Sequence, residues 1–276
     1  MKTIGIIGYG NVGETLSKYI QSNSKEKEKE KEIELLWICS KHFNDINIYP
    51  NTKLFTSISE IESLPDTIFI TSNDREINNI ATMFSDTFSD KLASKIVIHT
   101  SGALGREVLI ACEQHNAITI AAHPFQTFYS KDISCLKNIF WGIEINDTKY
   151  SADITKLIRY FGGHPFFLSA EMANNKALYH TIAVSISNYV AGAIKLGTLI
   201  AEEIKLPQKD FFIPIINQTI DNCFNSIIAN DGKFPLTGPI IRNDTEVINA
   251  HIKALDTLPN LQQSYIDFAN ALKNVL

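Results

Sequence analysis

The chain has 276 residues, of which 45% are hydrophobic and 20% are charged, and its net charge is −5. This length and apolar content exclude global disorder and fit one large domain or two ordinary ones. The charge argues against a nucleic-acid-binding protein that relies on a basic surface, and no apolar run approaches the roughly 18 residues that span a bilayer. The N-terminus lacks the cleavage site of a secretory signal. The four cysteines are scattered, so the sequence predicts a cytoplasmic protein without disulfides, a metal site or membrane attachment.

The first 168 residues alternate short apolar runs with helical segments. Strands are predicted at 3–7, 33–39, 53–56, 67–71, 95–99, 117–121, 140–145 and 165–168, and helices at 12–21, 77–84, 105–115 and 152–160. Apolar strands that alternate with helices indicate a parallel sheet covered on both faces, and right-handed crossovers make it doubly wound. We therefore predict a doubly wound α/β domain over residues 1–168.

The pattern changes to helices alone in residues 169–276, which we predict to be an all-helical second domain. A proline-free segment over 171–205 is apolar around most of its circumference, which is typical of a helix buried in a larger body or in a dimer. Further helices are predicted at 209–228, 244–255 and 260–275. Asn243 and Glu246 have the spacing of a capping box for the second of these.

A GxGxxG motif, Gly8-Tyr9-Gly10-Asn11-Val12-Gly13, directly follows the first strand and opens the first helix. This is the context that a dinucleotide-binding turn requires. The first glycine permits the tight turn, the second lets the backbone approach the pyrophosphate, and the third lets helix and strand pack closely. The helix N-terminus supplies hydrogen-bond donors to the phosphates. A glycine turn without a ligand is the alternative.

The second strand ends in Cys39-Ser40-Lys41, without the carboxylate that binds the ribose hydroxyls in NAD enzymes. Alternating Lys and Glu residues at 25–32, interpreted as a solvated helix end or loop, explain the long spacing from the glycines. Ser40 can donate a hydrogen bond to a 2′-phosphate and Lys41 can form an ion pair with it, which favours NADP over NAD. An exposed Ser-Lys turn is the alternative.

Four further groups of residues stand out. They are His99-Thr100-Ser101-Gly102-Ala103, His123-Pro124-Phe125-Gln126-Thr127-Phe128, Tyr179-His180 followed by Ser187-Asn188, and residues 236–244 with Arg242. Together with the glycine motif they resemble a family of NADP-dependent oxidoreductases with a Rossmann domain followed by a helical domain of unknown function. That family is distantly related to pyrroline-carboxylate reductase and ketopantoate reductase. The resemblance implies the fold, a nicotinamide cofactor and dimerisation.

Polar residues follow several of the predicted strands. In open α/β sheets, ligands bind at the carboxyl ends of the strands. We therefore expect Ser72, Asn73, Ser101, Gly102 and His123 to line the cofactor cleft. For His123, as for His99, a strand-end histidine bonded to a backbone carbonyl is the alternative.

His180 and Asn188 are eight residues apart and would share one face of a helix. The similarity to ketopantoate reductase implies that His180 takes the place of a lysine proton donor, that Val184 replaces one asparagine and that Asn188 retains another. An imidazole suits proton transfer near neutral pH. Arg242 is one of four arginines in the chain. Its planar guanidinium could form a bidentate interaction with a substrate carboxylate or with a buried Asp. A histidine and an asparagine that complete helix-packing hydrogen bonds are the alternative.

These observations predict a two-domain NADP-dependent oxidoreductase that is a homodimer through its helical domain. It would transfer hydride between nicotinamide and a C=O or C=N carbon of a small carboxylated metabolite, with His180, Asn188 and Arg242 as catalytic residues. The alternative is an NADP-binding sensor or scaffold without turnover.

Overall fold

The computed structural model describes residues 2–23, 33–43 and 49–275. They form two compact units, Met1–Val184 and Ser185–Leu276. The predicted domain boundary at residue 168 stays a prediction. The Lys/Glu run at 25–32, predicted to be a solvated helix end or loop, lies outside the described residues.

The first unit is built on one eight-stranded sheet. The strands are β1 (Thr3–Ile7), β2 (Glu34–Cys39), β3 (Lys53–Phe55), β4 (Thr67–Ile70), β5 (Ile96–His99), β6 (Ile118–Pro124), β7 (Phe140–Ile145) and β8 (His164–Phe167). The helices between them are α1 (Asn11–Asn23), α2 (Asp74–Phe88), α3 (Ile110–Glu113) and α4 (Ser151–Tyr160). The strand order is β3-β2-β1-β4-β5-β6-β7-β8, so the winding reverses between β1 and β4. The predicted doubly wound α/β fold is confirmed.

One strand pair departs from the predicted parallel sheet. β6 and β7 run antiparallel, whereas β7 and β8 are parallel again. A parallel connection needs a crossover, usually an α-helix. The chain between β6 and β7, residues 125–139, is described throughout and contains only a 3-10 helix at Ile133–Leu136.

The core of the first unit consists of two apolar clusters, because successive side chains of a strand point to opposite faces of the sheet. In β4, Phe69 enters one cluster with residues of α1 and α4, and Ile68 and Ile70 enter the other with residues of α2. Helices therefore cover both faces, and the strand ends that carry the polar residues are fixed by this core.

The second unit is helical, as predicted. α5 (Ala170–Asn174) and the start of α6 (Lys176–Ile186) belong to the first unit, and α7 (Asn188–Glu203), α8 (Gln208–Ala229), α9 (Thr245–Ala254) and α10 (Pro259–Asn274) to the second. The prediction of one helix over 171–205 is wrong, because the helix is interrupted at Asn175 (φ −116°, ψ 38°) and Ser187 (φ −121°, ψ −68°). Asn and Ser side chains compete with the helix for backbone hydrogen bonds, and the Asn175 amide donates to the Glu171 carbonyl over 2.8 Å.

The predicted capping box at α9 is also wrong by one residue. The carboxylate of Asp244 caps the helix by accepting a hydrogen bond from the backbone N–H of Val247 at 3.3 Å. Asn243 instead adopts a left-handed conformation, with φ 52°, which asparagine tolerates better than most residues.

Helices α6 and α7 qualify the expectation that no apolar segment could span a bilayer. By length and composition alone, Lys176–Glu203 could cross a membrane, with a mean hydropathy of 1.3 in an 18-residue window of which no residue is buried. The mean reaches this value although polar residues interrupt the apolar runs. A core helix of a soluble protein can satisfy the same criterion, so this is weak evidence for a span.

Candidate functional site

The glycine motif forms the turn between β1 and α1, and the three glycines have different surroundings. Gly8 has a φ of +96°, and an added Cβ would lie 2.8 Å from the Ser72 backbone nitrogen. A Cβ on Gly13 would overlap the carbonyl oxygen of Gly8. At Gly10, however, the nearest atom to an added Cβ is the Thr71 carbonyl oxygen at 4.0 Å. Packing within the chain therefore explains Gly8 and Gly13, whereas the space beside Gly10 is open.

Two cavities of the first unit meet at this turn. The first, of about 770 Å³, is lined by Gly10, Asn11, Val12, Thr71, Ser72, Asn73, Asp74, Arg75, Thr100, Ser101, Gly102, His123, Pro124, Gln126, Phe128 and His180. The second, of about 510 Å³, is lined by residues that include Gly8, Tyr9, Gly10, Ser40, Lys41, His42, Thr71, Ser72, Asn73 and Glu76. The two share Gly10, Thr71, Ser72 and Asn73. The structure thus brings the predicted cofactor residues together around two adjoining cavities, with Gly13 packed behind the turn.

One polar atom at the junction of the cavities lacks a partner. The Ser72 hydroxyl oxygen is buried and has no hydrogen-bond partner among the described residues. A buried hydroxyl without a partner is unfavourable. Together with the open space beside Gly10, this oxygen fits a site for a ligand with hydrogen-bonding groups.

Ser40 and Lys41 also line the second cavity. Lys41 is exposed. The Ser40 hydroxyl, however, donates to the His42 carbonyl over 3.0 Å and accepts from the His42 N–H over 3.4 Å, so it already has local partners. Glu76 lines the same cavity, although it lies far from Ser40 in the sequence.

The first cavity brings two histidines together over a glycine. An added Cβ on Gly102 would lie 2.6 Å from His180 Cδ2 and 2.8 Å from His123 Nε2, so only glycine leaves room for both rings. The ring centroids of His123 and His180 are 5.8 Å apart. His180 of α6 therefore lies beside the strand ends and lines the first cavity with them.

His123 is bonded on its other side to Tyr179. His123 Nδ1 lies 3.2 Å from the Tyr179 hydroxyl oxygen. Burial, together with the charges of Lys176, His180 and His99, lowers the pKa of His123 to about 3. Burial also raises the pKa of Tyr179 to about 12. At neutral pH the imidazole is therefore neutral and the phenol is protonated.

For His99 the structure shows the second of the two roles considered from the sequence. The ring is fully buried, with Nε2 3.0 Å from the Gly105 carbonyl, and Nδ1 accepts a hydrogen bond from the Ser101 N–H at 3.2 Å. Burial lowers the pKa of His99 to about 4. His99 thus holds the turn after β5 in place, and it does not line either cavity described here.

Lys176 is a residue that the sequence analysis missed. It is 5% exposed, and its Nζ has no hydrogen-bond partner among the described residues. The Nζ lies 5.1 Å from the centroid of the Tyr179 ring. Burial lowers the pKa of Lys176, and Glu144 and Glu107 oppose that shift. Its spacing of three and four residues from Tyr179 and His180 places all three on one helical face, and this pattern could have identified it.

The other two predicted catalytic residues belong to the second unit. Asn188 begins α7, and its Oδ1 accepts a hydrogen bond from the Ser187 hydroxyl over 2.8 Å. Arg242 lies in the turn before α9, where its N–H donates to the Gly238 carbonyl over 3.2 Å. Their participation in a site with His180 stays a prediction. Among the described residues, no three His, Cys, Asp or Glu side chains are grouped to hold a metal ion.

Solved structures share the fold of nearly the whole chain. A Bacteroides fragilis protein named as a candidate NADP oxidoreductase, BF3122, is 18% identical, with 99% of this chain and 98% of that chain covered and a TM-score of 0.80. The Thermotoga maritima protein TM1727 is 21% identical, with 99% of this chain and 97% of that chain covered and a TM-score of 0.62. The Plasmodium falciparum pyrroline carboxylate reductase with NADP bound is 13% identical, with 99% of this chain and 98% of that chain covered and a TM-score of 0.54. At these identities the similarity establishes the fold.

Protein-family models match both parts of the chain. A Rossmann-like domain matches residues 1–124, and a domain of unknown function, DUF2520, matches residues 139–272. A search of the curated proteins finds no match. Residues 1–124 are therefore similar to a Rossmann-like domain and residues 139–272 to a DUF2520 domain, in agreement with the family resemblance of the sequence motifs.

Proposed function

We propose that the protein is a cytoplasmic NADP-dependent oxidoreductase that acts on a C=O or C=N carbon of a small carboxylated metabolite. The observation that carries this proposal is the pair of cavities that meet at Gly10 and Ser72. A dinucleotide consists of two nucleosides joined by a pyrophosphate, and two cavities joined at a glycine turn match that division. The fold shared with a pyrroline carboxylate reductase that binds NADP supports the same cofactor class. Pyrroline is a cyclic imine, which favours a C=N substrate.

The residues at the junction suit a pyrophosphate. The first N–H groups of α1 have no partner within the helix and carry its positive dipole end, and the space beside Gly10 lets an anion approach them. The Ser72 hydroxyl can donate a hydrogen bond to the same ligand. In the second cavity, Lys41 can form an ion pair with a 2′-phosphate, and this is the basis for NADP rather than NAD.

The first cavity then takes the nicotinamide and the substrate. Bound NADPH supplies the hydride, and the chain has to orient the substrate and deliver a proton to its oxygen or nitrogen. We propose His180 as the proton donor, because it lines this cavity on α6 beside His123. Asn188 and Arg242 are proposed to orient the substrate and to bind its carboxylate.

NADPH oxidation with a panel of 2-keto acids and cyclic imino acids tests this function. Once a substrate is found, His180→Ala is expected to lower kcat by about 10²–10⁴-fold and to leave NADPH affinity near normal. His164→Ala, in an exposed position on β8, is the matched control. If His180→Ala lowers only the melting temperature, His180 is a packing residue. NADPH binding without turnover of any substrate would favour the sensor or scaffold.

We also propose that the protein is a homodimer through its second unit. None of the 22 residues of α8 is buried. Exposed apolar side chains on this helix include Phe211, Ile213, Ile215, Phe224, Ile227 and Ile228. Polar residues such as Gln218, Asp221 and Asn222 share the helix, which suits a protein interface better than a lipid surface. A second copy of the chain would cover these apolar side chains.

A further inference from the structure

We propose that Tyr179 holds His123 in the tautomer that carries its proton on Nε2, so that the neutral imidazole donates a hydrogen bond to the substrate oxygen or nitrogen. This makes His123 a substrate contact separate from the proton donor. The inference rests on the proposed function in one respect, namely that a substrate occupies the first cavity.

The Tyr179 hydroxyl is held in a defined position beside His123. It lies 3.2 Å from His123 Nδ1, and an added Cβ on Gly142 would lie 2.5 Å from the same oxygen. The hydroxyl therefore occupies space that glycine leaves open on β7. The Tyr179 ring also makes edge contacts with the rings of His123 and Phe125, with centroids 5.6 and 5.5 Å away. These contacts fix the Tyr179 oxygen against Nδ1.

The two ring nitrogens of His123 face different groups. Nδ1 is bonded to Tyr179, whereas Nε2 lies over Gly102, which lines the first cavity with His123 itself. A neutral imidazole carries its proton on one nitrogen and a lone pair on the other. Whichever group is bonded to Nδ1 therefore decides whether Nε2 offers a donor or an acceptor to the cavity.

A cationic side chain lies against Tyr179. The ammonium of Lys176 lies 5.1 Å from the ring centroid of Tyr179, the residue bonded to Nδ1. A cation against the Tyr179 ring makes its hydroxyl a stronger hydrogen-bond donor and a weaker acceptor. The Tyr179 hydroxyl then donates to Nδ1, and the proton of the imidazole lies on Nε2.

The charged and titratable groups around His123 keep the ring neutral. Lys176, Tyr179 and His180 face it from α6 and His99 faces it from β5, and burial, Lys176, His180 and His99 all lower its pKa. A neutral N–H group polarises a carbonyl or imine without giving up its proton. Proton delivery is thereby left to a different group.

Histidine ¹⁵N NMR of the full-length protein tests the tautomer directly, because protonated and unprotonated ring nitrogens differ in chemical shift. We expect His123 to show a protonated Nε2 and a bare Nδ1 from about pH 5 to about pH 8. Tyr179→Phe keeps the aromatic ring but removes the donor. It should shift the tautomer ratio toward Nδ1–H by about two- to tenfold, the equivalent of one neutral hydrogen bond.

The chain offers a matched control in the second unit. His251 Nδ1 lies 2.8 Å from the Tyr265 hydroxyl, so Tyr265→Phe should perturb His251 and leave His123 unchanged. If Tyr179→Phe does not fold, Lys176→Met is the second variant, and it should also raise the Nδ1–H population. An Nδ1–H tautomer in the unmodified protein, or an unchanged ratio in the folded variant, overturns the proposal.

The same samples separate this inference from the proposed function. Calorimetry with NADPH tests cofactor binding, and the NMR measurement does not depend on turnover. A protein that binds no NADPH but shows the Nε2–H tautomer would refute the oxidoreductase while retaining the tautomer assignment.

Discussion

The two units of the chain differ in how much of their apolar surface they bury themselves. In the first unit, successive side chains of the central strands enter two apolar clusters on opposite faces of the sheet. In residues 185–275, the buried residues are Ala201, Ile248, Leu255 and Ala269, and two of these four are alanines. The sheet unit therefore contains the contacts that fix its fold, whereas the helical unit requires a further surface to pack against.

The two units also differ in whether they line the cavities of the candidate site. Both cavities are lined entirely by residues of the first unit, from the glycine turn to His180. Binding of a dinucleotide should therefore depend on substitutions in the sheet unit, and association should depend on substitutions in the helical unit. Single-residue variants in each unit test this division.

Gly10→Glu should give the largest effect, a loss of NADPH binding by at least about 10³-fold. The side chain would project into the open space beside Gly10 and place a negative charge where the pyrophosphate is proposed to bind. Isothermal calorimetry measures the loss, and light scattering should show an unchanged oligomeric state. Gly10→Ala is the control for folding, since its Cβ would meet nothing closer than 4.0 Å. Normal binding by folded Gly10→Glu would refute the site.

Ile215→Asp should weaken the proposed dimer by about 30- to 1000-fold. Ile215 is 65% exposed on α8, and a carboxylate buried in an apolar interface loses its hydration. Light scattering over a dilution series measures the association, and unfolding midpoints should become independent of concentration. Tyr129→Asp, at a residue of the first unit that is 94% exposed, should leave the association unchanged. An unmodified protein that is monomeric at micromolar concentration would contradict the dimer.

The sequence predicts the structure of the sheet unit more completely than that of the helical unit, and the reason is physical. Continuous apolar strands, a glycine turn and polar strand ends are local patterns, so the sheet and most of the residues around both cavities follow from them. The antiparallel pairing of β7 with β6 does not follow from local patterns, because it depends on how the chain packs after residues 125–139. Periodicity suggests helices from α6 to α10, but it does not predict the interruption at Ser187. It also does not identify the surface that covers α8.

The candidate site shows the same limit. Gly10, Ser72 and His123 could be placed because each lies at or just after the carboxyl end of a strand. The hydrogen bond between Tyr179 and His123, and Lys176 beside it, depend on how α6 packs on β6 and β7. Periodicity places Tyr179 and Lys176 on one helical face, but it does not identify the strand that this face contacts.

The buried histidines should make the sheet unit sensitive to acid. The pKa values of His99 and His123 in the folded protein, about 4 and about 3, lie below the unfolded value of 6.5, so the unfolded state binds more protons. Their contribution to stability is therefore complete above pH 6.5 and is lost as the pH falls toward 4 and 3. For His99 the loss is about 3 kcal/mol at most, from about 1.4 kcal/mol per pH unit.

Urea unfolding at a series of pH values between about 4 and about 7 measures this slope. His99→Gln should flatten it, because the replacement does not titrate, whereas His164→Gln on the exposed edge strand should leave it unchanged. Equal slopes for His99→Gln and the unmodified protein would show that the acid sensitivity has another origin.

Lys41→Asp should give the smallest effect, a 10- to 150-fold weaker affinity for NADPH with little change for NADH. In the second cavity the Ser40 hydroxyl is already bonded to His42, and Glu76 would repel a phosphate, so the preference for NADP depends on Lys41. A charge-assisted hydrogen bond contributes about 1.5–3 kcal/mol. Because Lys41 is exposed, its contribution should decrease as salt is added. Calorimetry with both cofactors measures the difference, and Lys156→Asp, exposed on α4 and outside both cavities, controls for net charge. If the unmodified protein binds NADPH and NADH equally, the cavity has no 2′-phosphate site, and the cofactor would have to be assigned without it.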